Sequence, residues 1–400
     1  MEYLCVVESF FEDNPSGSAR VAWDIAKAMR EQGYSVTLLC YQSGDKPLGI
    51  TEYEGIRLVR FQKAVLPGWH PGRLQAILDS SAVACRRWLG DRQWDVVHVH
   101  TALIGLGVVT GLGKAPKYVF TVHSPLVLEQ EIHWRHQGLA GRLKLLFGRA
   151  ALARAERQML HAASKIHTLS EFTRQKIDAS YGVGKRVTVI PHWYEHSTAT
   201  PDKASARAAL GWPDEATIFF TVRGLSPRYG VDIAIRALAP LVQKKDCHFY
   251  VGGSGPLRQM LEELATELDA VGHVHFLGRL PDTDLELAYA AADVFILPTL
   301  ALECFGLITI EALSLGCPVI ASDVAAIPEM MQPILPECIV PAGDVAALRE
   351  KARQVMAHEI NLPDRNSLIE YARLHYSRAV IVPRFMALFE QAVQRARVGT

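Results

Sequence analysis

Residues 303–311 have the sequence Glu303-Cys-Phe-Gly-Leu-Ile-Thr-Ile-Glu311, which sets two carboxylates eight positions apart around a Phe-Gly turn. The preceding run, Asp293-Val-Phe-Ile-Leu-Pro298, is short, apolar and closed by proline, which is typical of a buried parallel strand. A helix is predicted to begin near Gly306. Glu303 then lies in the loop at the carboxyl end of the strand, and Glu311 lies about five residues into the helix, roughly 7.5 Å along its axis.

The first turn of this predicted helix presents backbone N–H groups that form an anion site. A diphosphate over Gly306, Leu307 and Ile308, with a ribose at Glu311 and a sugar at Glu303, fits the spacing. The predicted ligand is therefore a nucleotide-sugar.

Further short motifs accompany this stretch along nearly the whole chain. In sequence order they are Pro15-Ser-Gly-Ser18, Asp95-Val-Val-His-Val-His100, Thr121-Val-His-Ser124, His167-Thr-Leu-Ser170, Val189-Ile-Pro191, Gly252-Gly-Ser-Gly255, Phe276-Leu-Gly278 and Gly316-Cys-Pro-Val-Ile320. With the paired glutamates, the chain resembles the family-4 retaining glycosyltransferases of the GT-B fold. The order and spacing of the motifs carry the resemblance, because each motif alone is a weak signal.

Length and pattern predict an α/β protein of two domains. A chain of 400 residues is too long for one ordinary core, and apolar β-rich runs alternate with helical patterns throughout. We place a Rossmann-like acceptor-side domain at 1–192 and a Rossmann-like nucleotide-sugar-binding domain at 193–376, divided within Pro191–Pro201. The resemblance implies a GT-B fold, in which two doubly wound parallel sheets face each other across a cleft. It also implies that residues 377–400, with a helix at Ala379–Arg397, cross back to the first domain.

Ten strands are predicted from the apolar runs. They are Leu4–Ser9, Val36–Cys40, Val96–His100, Tyr118–Val122 and Val187–Ile190 in the first half, and Ile218–Val222, His248–Val251, Val274–Phe276, Val294–Leu297 and Val319–Ala321 in the second.

The composition excludes several classes of protein. Hydrophobic residues make up 49% of the chain and charged residues 21%, which indicates a globular protein. No apolar run approaches a membrane span, and the first residues lack the basic region of a signal peptide, so a cytoplasmic location is expected. Seven cysteines without a Cys-x-x-Cys pair argue against a disulfide framework and a structural zinc site.

The net charge of zero is unevenly distributed. Residues 1–190 carry 24 Lys and Arg against 17 Asp and Glu, and the remaining residues carry the opposite excess. Either the first domain binds something anionic, or the two oppositely charged halves attract each other. No nucleic-acid partner is predicted.

Two features of the first half are candidate donor contacts. Gly17 and Ser18 follow the first strand and open a predicted helix, Ala19–Arg30, whose N-terminus favours phosphate. His123 ends the strand Tyr118–Val122, and the resemblance implies that it contacts the donor sugar near the reacting carbon. His98 and His100 alternate on one strand and, without a third ligand, are interpreted as structural or cleft-lining.

The loop Thr221–Gly230 departs from the pattern of the family. Relatives have Gly-Arg-Leu followed by Pro-Xaa-Lys-Gly, and this chain has Gly224 and Tyr229 at the positions of the Arg and the Lys. Arg223 and Arg228 each stand one residue away, and we predict that they hold the diphosphate instead. The alternative is a surface loop in a protein of weak or altered activity.

No metal or other cofactor is predicted. Asp282-Thr-Asp284 is similar to a metal motif of another fold, but it precedes a helical run, so Asp282 is predicted to be an N-cap. The resemblance implies that Arg279 and Leu280 hold the base of the nucleotide. Gly252-Gly-Ser-Gly255 is predicted to be a structural turn.

A basic amphipathic helix is predicted at Gly138–Ala163. Its basic residues are Arg142, Lys144, Arg149, Arg154 and Arg157, and its apolar residues include Leu143, Leu146, Phe147, Leu152 and Leu160. We favour a solvated helix face over peripheral contact of the N-terminal domain with the inner face of the membrane, which is the alternative.

The resemblance implies transfer of a hexosyl group from a nucleoside diphosphate sugar to an acceptor hydroxyl, on a glycan, a lipid-linked or a small-molecule acceptor, with retention. Glu303 would orient the sugar, Glu311 would bind the ribose, and residues from Phe305 to Ile308 would contact the donor. The leaving phosphate takes the acceptor proton. The alternatives are an epimerase of nucleotide-sugars with the same fold, and a nucleotide-binding subunit without turnover.

Overall fold

The computed structural model describes residues 1–14, 16–64, 72–113, 116–135, 138–196, 201–243 and 246–394. Three parts of the predictions lie outside these residues: Pro15 of the first motif, 197–200 of the predicted boundary, and 395–400 of the predicted C-terminal segment, which include the end of the predicted last helix. The chain divides into two compact units. One unit is Met1–Pro191 together with Val382–Thr400, and the other is His192–Ile381.

Fourteen strands and fifteen α-helices lie in the described residues. The strands are β1 (Glu2–Ser9), β2 (Ser35–Tyr41), β3 (Gly49–Tyr53), β4 (Ile56–Phe61), β5 (Val96–Val99), β6 (Lys117–Val122), β7 (Lys165–Thr168), β8 (Val187–Val189), β9 (Thr217–Val222), β10 (Cys247–Gly252), β11 (Val274–Gly278), β12 (Val294–Leu297), β13 (Val319–Ser322) and β14 (Ile339–Val340). The helices are α1 (Gly17–Glu31), α2 (Arg73–Trp88), α3 (Ala102–Leu112), α4 (Leu126–Arg135), α5 (Gly138–Ala162), α6 (Glu171–Tyr181), α7 (Lys203–Leu210), α8 (Val231–Val242), α9 (Arg258–Glu267), α10 (Asp282–Ala291), α11 (Leu307–Ser314), α12 (Ile327–Met331), α13 (Val345–Met356), α14 (Arg365–Tyr376) and α15 (Arg378–Gln394).

The sheet of the first unit has eight strands in the order β3-β4-β2-β1-β5-β6-β7-β8. Neighbouring strands are parallel except β3, which pairs antiparallel with β4 in a hairpin. The chain adds strands on one side of β1 and then, from β5, on the other. The switch point of this sheet therefore lies between β1 and β5, where ligands of open α/β sheets bind.

The sheet of the second unit has six parallel strands in the order β11-β10-β9-β12-β13-β14. Its core contains Phe219, Phe220, Phe249 and Phe295, all fully buried. Strands β9 to β11 extend to one side and strands β12 to β14 to the other, so the switch point lies between β9 and β12. The prediction of two α/β domains with parallel sheets is confirmed.

The last helix packs on the sheet of the first unit. The ring centroid of Phe385 lies 4.9 Å from that of His167, and the ring of Phe389 lies 5.3 Å from that of Tyr3. Lys165 Nζ donates to Gln391 Oε1 at 2.9 Å. The helix begins at Arg378, one residue before its predicted start.

All ten predicted strands are present, with ends that differ by one or two residues. The structure adds β3, β4, β7 and β14. All seven cysteines are buried free thiols. Among the described helices, none combines the length and the apolar character that crossing a membrane requires.

Candidate functional site

The candidate site lies at the switch point of the second sheet. The loop after β9, residues 223–230, and the loop after β12, residues 298–306, emerge from neighbouring strands at their carboxyl ends. Gly230 has φ 65°, and a Cβ there would lie 2.0 Å from the carbonyl oxygen of Pro298. Leu300 N donates to the carbonyl oxygen of Arg228 at 2.8 Å. The two loops are therefore packed backbone to backbone, and glycine is required at position 230.

Helix α11 begins where the sequence predicted. Gly306 is its N-cap, with φ 86°, and a Cβ there would lie 3.1 Å from Met330 Cε and 3.3 Å from Glu303 Cγ. Glycine supplies both the left-handed backbone and the space. The first turn, at Leu307 and Ile308, directs its N–H groups and the positive end of the helix dipole toward this loop.

Glu303 is fixed by its backbone and by its side chain. The preceding residue, Leu302, is buried with φ 52°, a strained conformation for a branched residue. Ala326 N donates to the carbonyl oxygen of Glu303 at 3.0 Å. The Glu303 side chain is 18% exposed, and its carboxylate accepts a hydrogen bond from Arg223 Nη2 at 2.5 Å. Glu303 therefore has one defined orientation in this loop.

Arg223 and Arg228 both contact Tyr229. The guanidinium carbons lie 4.4 Å and 4.6 Å from the centre of the ring, within the range of cation–π attraction. Arg223 Nη1 also donates to Thr299 Oγ1 at 2.7 Å, and Arg228 Nη2 donates to the Tyr229 hydroxyl at 2.6 Å. Arg223 therefore contacts Glu303 directly. Arg228 is linked to Arg223 through the Tyr229 ring that both arginines contact.

Glu311 is held by a buried tyrosine of α10. The Tyr289 hydroxyl donates to Glu311 Oε2 at 3.0 Å. Burial raises the pKa of Tyr289 well above its ordinary value, and the charge of Glu311 adds to the shift. The phenol therefore stays protonated and remains a hydrogen-bond donor to the carboxylate.

The other predicted donor residues of this unit lie around the same loops. Leu280 Cδ1 would lie 3.3 Å from a Cβ at Gly252, and Arg279 beside it is exposed. Phe305 is 7% exposed and packs edge-on against Tyr376, with ring centroids 6.5 Å apart. Phe305 therefore supports the loop by packing.

The prediction that Asp282 is an N-cap is wrong. Pro281 occupies the cap position, and α10 begins at Asp282, so Asp282 and Asp284 lie in the first turn. Carboxylates there still stabilise the helix through its dipole. In the part of the chain that the structure describes, no group of three or more His, Cys, Asp or Glu side chains could hold a metal ion.

Gly253 and Gly255 are structural, as predicted. A Cβ at Gly253 would lie 1.8 Å from the carbonyl oxygen of Arg223, and one at Gly255 would lie 2.3 Å from that of Leu225. These glycines allow the turn after β10 to approach the loop after β9 closely. They therefore help to place Arg223.

Gly17, Ser18 and His123 belong to the first unit, whereas the other predicted site residues belong to the second. Helix α1 begins at Gly17, two residues earlier than predicted, because the Ser16 side chain caps it by accepting from Ala19 N. Gly17 is exposed at the end of the loop after β1. The carboxyl ends of β1 and β6 thus present these residues on one edge of the sheet.

His123 follows β6 and contacts His100 at the end of β5. His123 Nε2 lies 2.8 Å from His100 Nδ1, and the two rings are stacked with centroids 5.1 Å apart. One shared hydrogen joins the two imidazoles, so the tautomer of one ring fixes that of the other.

His98 is structural and belongs to a buried chain of hydrogen bonds across four strands. His167 Nε2 lies 2.8 Å from the carbonyl oxygen of Ile190, so this nitrogen carries a hydrogen and donates. His167 Nδ1 then accepts from Thr121, whose oxygen accepts from His98 Nε2, while Tyr3 donates to His98 Nδ1. Burial lowers the pKa of His98 well below its ordinary value, and His167 adds to the shift.

The predicted basic helix is α5, and the side chains of residues 142–147 lie outside the described residues. They include Arg142, Lys144, Leu143, Leu146 and Phe147 of the prediction. Of the remaining basic residues, Arg149 Nε lies 3.0 Å from Glu131 Oε1 and Arg157 lies over the ring of Tyr181. Leu152 and Leu160 are buried.

Two residues of the site were not predicted from the sequence. Thr299, directly after Pro298, accepts from Arg223, and Tyr289 donates to Glu311. A threonine just past a buried strand end is a weak signal. The sequence gives no signal for Tyr289, because a tyrosine in an apolar helix is usually a core residue.

The chain matches two families and is similar to several named proteins. The family described as "Glycosyl transferase 4-like domain" matches residues 16–193, and "Glycosyl transferases group 1" matches residues 202–375. A phosphatidyl-myo-inositol mannosyltransferase from Mycobacterium leprae is 25% identical, over 94% of this chain and 94% of its own length. A GDP-mannose-dependent alpha-(1-6)-phosphatidylinositol monomannoside mannosyltransferase from Mycolicibacterium smegmatis is 26% identical, over 82% and 83%.

Solved structures support the fold. Sucrose-phosphate synthase from Thermosynechococcus elongatus superimposes with a TM-score of 0.81 at 20% identity, over 98% of this chain and 99% of that chain. The two matched families cover the two structural units in order, and the paired glutamates lie at the switch point of the second sheet. The chain belongs to the family-4 glycosyltransferases of the GT-B fold.

Proposed function

We propose that the protein transfers a hexosyl group from a nucleoside diphosphate sugar to an acceptor hydroxyl with retention at the anomeric carbon. The observation that carries this proposal is the placement of Glu303 and Glu311 on either side of the first turn of α11, at the switch point of the second sheet. A diphosphate at that turn places a sugar toward one carboxylate and a ribose toward the other.

The proposed site stabilises charge that develops as the glycosidic bond breaks. The leaving diphosphate becomes more negative, and the N–H groups at Leu307 and Ile308 with the guanidinium of Arg228 favour that charge. Glu303 is proposed to face the oxocarbenium-like carbon as it becomes positive. Gly17 and His123, at one edge of the first sheet, stay proposed donor contacts. The leaving phosphate is proposed to take the acceptor proton.

The acceptor is proposed to be an inositol-containing lipid. The two relatives described above carry phosphatidylinositol or its mannoside in their names, and one is named as GDP-mannose-dependent. GDP-mannose with phosphatidylinositol vesicles is therefore the first pair to test. A lipid acceptor would place the reaction at a membrane surface.

The experiment has two stages. Thermal unfolding of the protein is first measured against GDP-mannose, UDP-glucose, ADP-glucose and the free nucleoside diphosphates, because a bound ligand raises the melting temperature. The stabilising donor is then incubated with phosphatidylinositol vesicles, and the anomeric configuration of the product is determined by NMR. An α-linked product from an α-linked donor is expected.

Three results would contradict the proposal. Inversion at the anomeric carbon would exclude the retaining reaction. A changed nucleotide-sugar without any acceptor would indicate an epimerase. Donor binding without turnover of any acceptor would indicate a nucleotide-binding subunit.

A further inference from the structure

The guanidinium of Arg223 is enclosed by three side chains of its own unit. The Arg223 side chain is 4% exposed. Its Nη1 donates to Thr299 Oγ1 at 2.7 Å, its Nη2 donates to Glu303 Oε2 at 2.5 Å, and its central carbon lies 4.4 Å from the centre of the Tyr229 ring. Both terminal nitrogens are thus hydrogen-bonded, and the central carbon lies over an aromatic ring.

Such burial ties the positions of Arg223 and Glu303 together. A buried guanidinium requires a counter-charge, and Glu303 supplies it at hydrogen-bond distance. Thr299 accepts a hydrogen bond from the other terminal nitrogen, Nη1, so the guanidinium cannot rotate without losing a hydrogen bond. The direction of the Glu303 carboxylate is therefore set by Arg223 and Thr299.

Gly224 and Tyr229 support this arrangement. The family resemblance implies an Arg and a Lys that hold the diphosphate at these two positions. A Cβ at Gly224 would lie 3.2 Å from Tyr229 Cε2, closer than ordinary van der Waals contact. The glycine leaves room for the ring, and the ring covers the guanidinium of Arg223. The two departures from the family pattern thus form one packed unit.

Arg228 differs from Arg223 in exposure and in its contacts. It is half-buried, in the short 3-10 turn Pro227–Tyr229. Its guanidinium donates to the Tyr229 hydroxyl at 2.6 Å and lies over the same ring. Its carbonyl oxygen accepts from Leu300 N, so its backbone is anchored to the loop after β12.

Resting on the proposed function, we propose that Arg223 is a positioning residue that orients Glu303, and that Arg228 alone supplies the guanidinium for the donor diphosphate. The two arginines that the sequence assigned to one role then have different roles. Loss of Arg223 affects the chemical step, and loss of Arg228 affects nucleotide affinity.

The test compares Arg223→Lys, Thr299→Val and Arg228→Gln in the full chain. Calorimetry gives the Kd of the bare nucleoside diphosphate, and initial rates give kcat and KM for the donor. Arg223→Lys and Thr299→Val should lower kcat at least about tenfold, with the Kd within about threefold of the wild type. Arg228→Gln should weaken the diphosphate Kd more than about tenfold, as expected for a lost charge-assisted contact. If Arg223→Lys weakens the Kd as much as Arg228→Gln does, the division of roles is wrong.

A second measurement separates this proposal from the proposed function. If the wild type binds no nucleotide, the proposed function fails, and the link between Arg223 and Glu303 is tested in the ligand-free protein. Melting temperatures of Arg223→Gln, Glu303→Gln and the double variant form a mutant cycle. A double variant no less stable than the worse single variant supports the positioning contact, and additive losses overturn it.

Discussion

Replacement of Tyr289 by phenylalanine removes one oxygen atom and should weaken binding of the nucleotide through Glu311. The Tyr289 ring lies 5.4 Å from Phe220 and 5.1 Å from Phe295, centre to centre, and phenylalanine keeps these contacts. The fold is therefore expected to persist. Glu311 loses the hydrogen bond that the Tyr289 hydroxyl donates to its Oε2 atom.

The size of the effect follows from the type of contact. A hydrogen bond to a charged group contributes about 1.5–3 kcal/mol, and part of this is lost in the free protein as well as in the complex. We expect about 1.4 kcal/mol to appear in binding, which is a tenfold weaker Kd. Because the pKa of Tyr289 is raised well above its ordinary value by burial, the effect should be independent of pH between 6 and about 9.

Calorimetric titration with a nucleoside diphosphate and with its 2′,3′-dideoxy analogue tests this prediction. Tyr289→Phe should weaken binding of the first ligand and leave that of the analogue unchanged, because the analogue lacks the hydroxyls proposed to contact Glu311. In a Glu311→Ala background, Tyr289→Phe should have no further effect. Tyr250→Phe, on β10 of the same unit, is the matched control. Equal losses for both ligands would refute the reasoning.

Three further predictions concern Glu303, the independence of the reaction from metal ions, and the buried His98. Glu303→Gln should lower kcat by about 10² while nucleotide affinity stays within about threefold, and wild-type turnover in this variant would contradict the assignment. Transfer should survive EDTA, so a loss of activity that manganese or magnesium restores would show a metal requirement. The pKa of His98 is lowered in the folded state, so its contribution to the free energy of unfolding is complete above its ordinary pKa of about 6.5. That contribution is lost as the pH falls below this value, at about 1.4 kcal/mol per pH unit. Melting temperatures measured from pH 8 to pH 5 should fall less steeply for His98→Gln than for the wild type, and parallel curves would contradict this.

The strand, loop and helix around residues 293–311 were predictable because each has a local cause. An apolar run ending in Pro298 forms the buried strand β12, and Gly306 supplies the positive φ from which α11 begins. The spacing of Glu303 and Glu311 across the first turn then follows from helix geometry alone. These features require no knowledge of distant residues.

Two of the strands that were missed, β3 and β7, lack an apolar run. Strand β3 is Gly-Ile-Thr-Glu-Tyr, and its residues are half-buried or exposed because it is the edge of its sheet. The turn that joins it to β4 has positive φ at Glu54 and Gly55, and its sequence is only a weak hairpin signal. In strand β7 the side chain of His167 is buried, and it forms hydrogen bonds with Thr121 and with the carbonyl oxygen of Ile190. A pattern of apolar residues cannot reveal a strand whose core position is a hydrogen-bonded histidine.

The contacts within the site could not be predicted from local sequence, because they join residues far apart in the chain. Arg223 and Glu303 are separated by 80 positions, and they meet because β9 and β12 are neighbours although two strands lie between them in sequence. The sequence showed that Gly224 and Tyr229 break the family pattern, and it offered loss of function as an alternative. In the structure Tyr229 packs between Gly224 and the two arginines, so the two residues that break the family pattern are in contact with each other. The altered loop still holds a buried arginine, and its charge is paired with Glu303 in the neighbouring loop after β12.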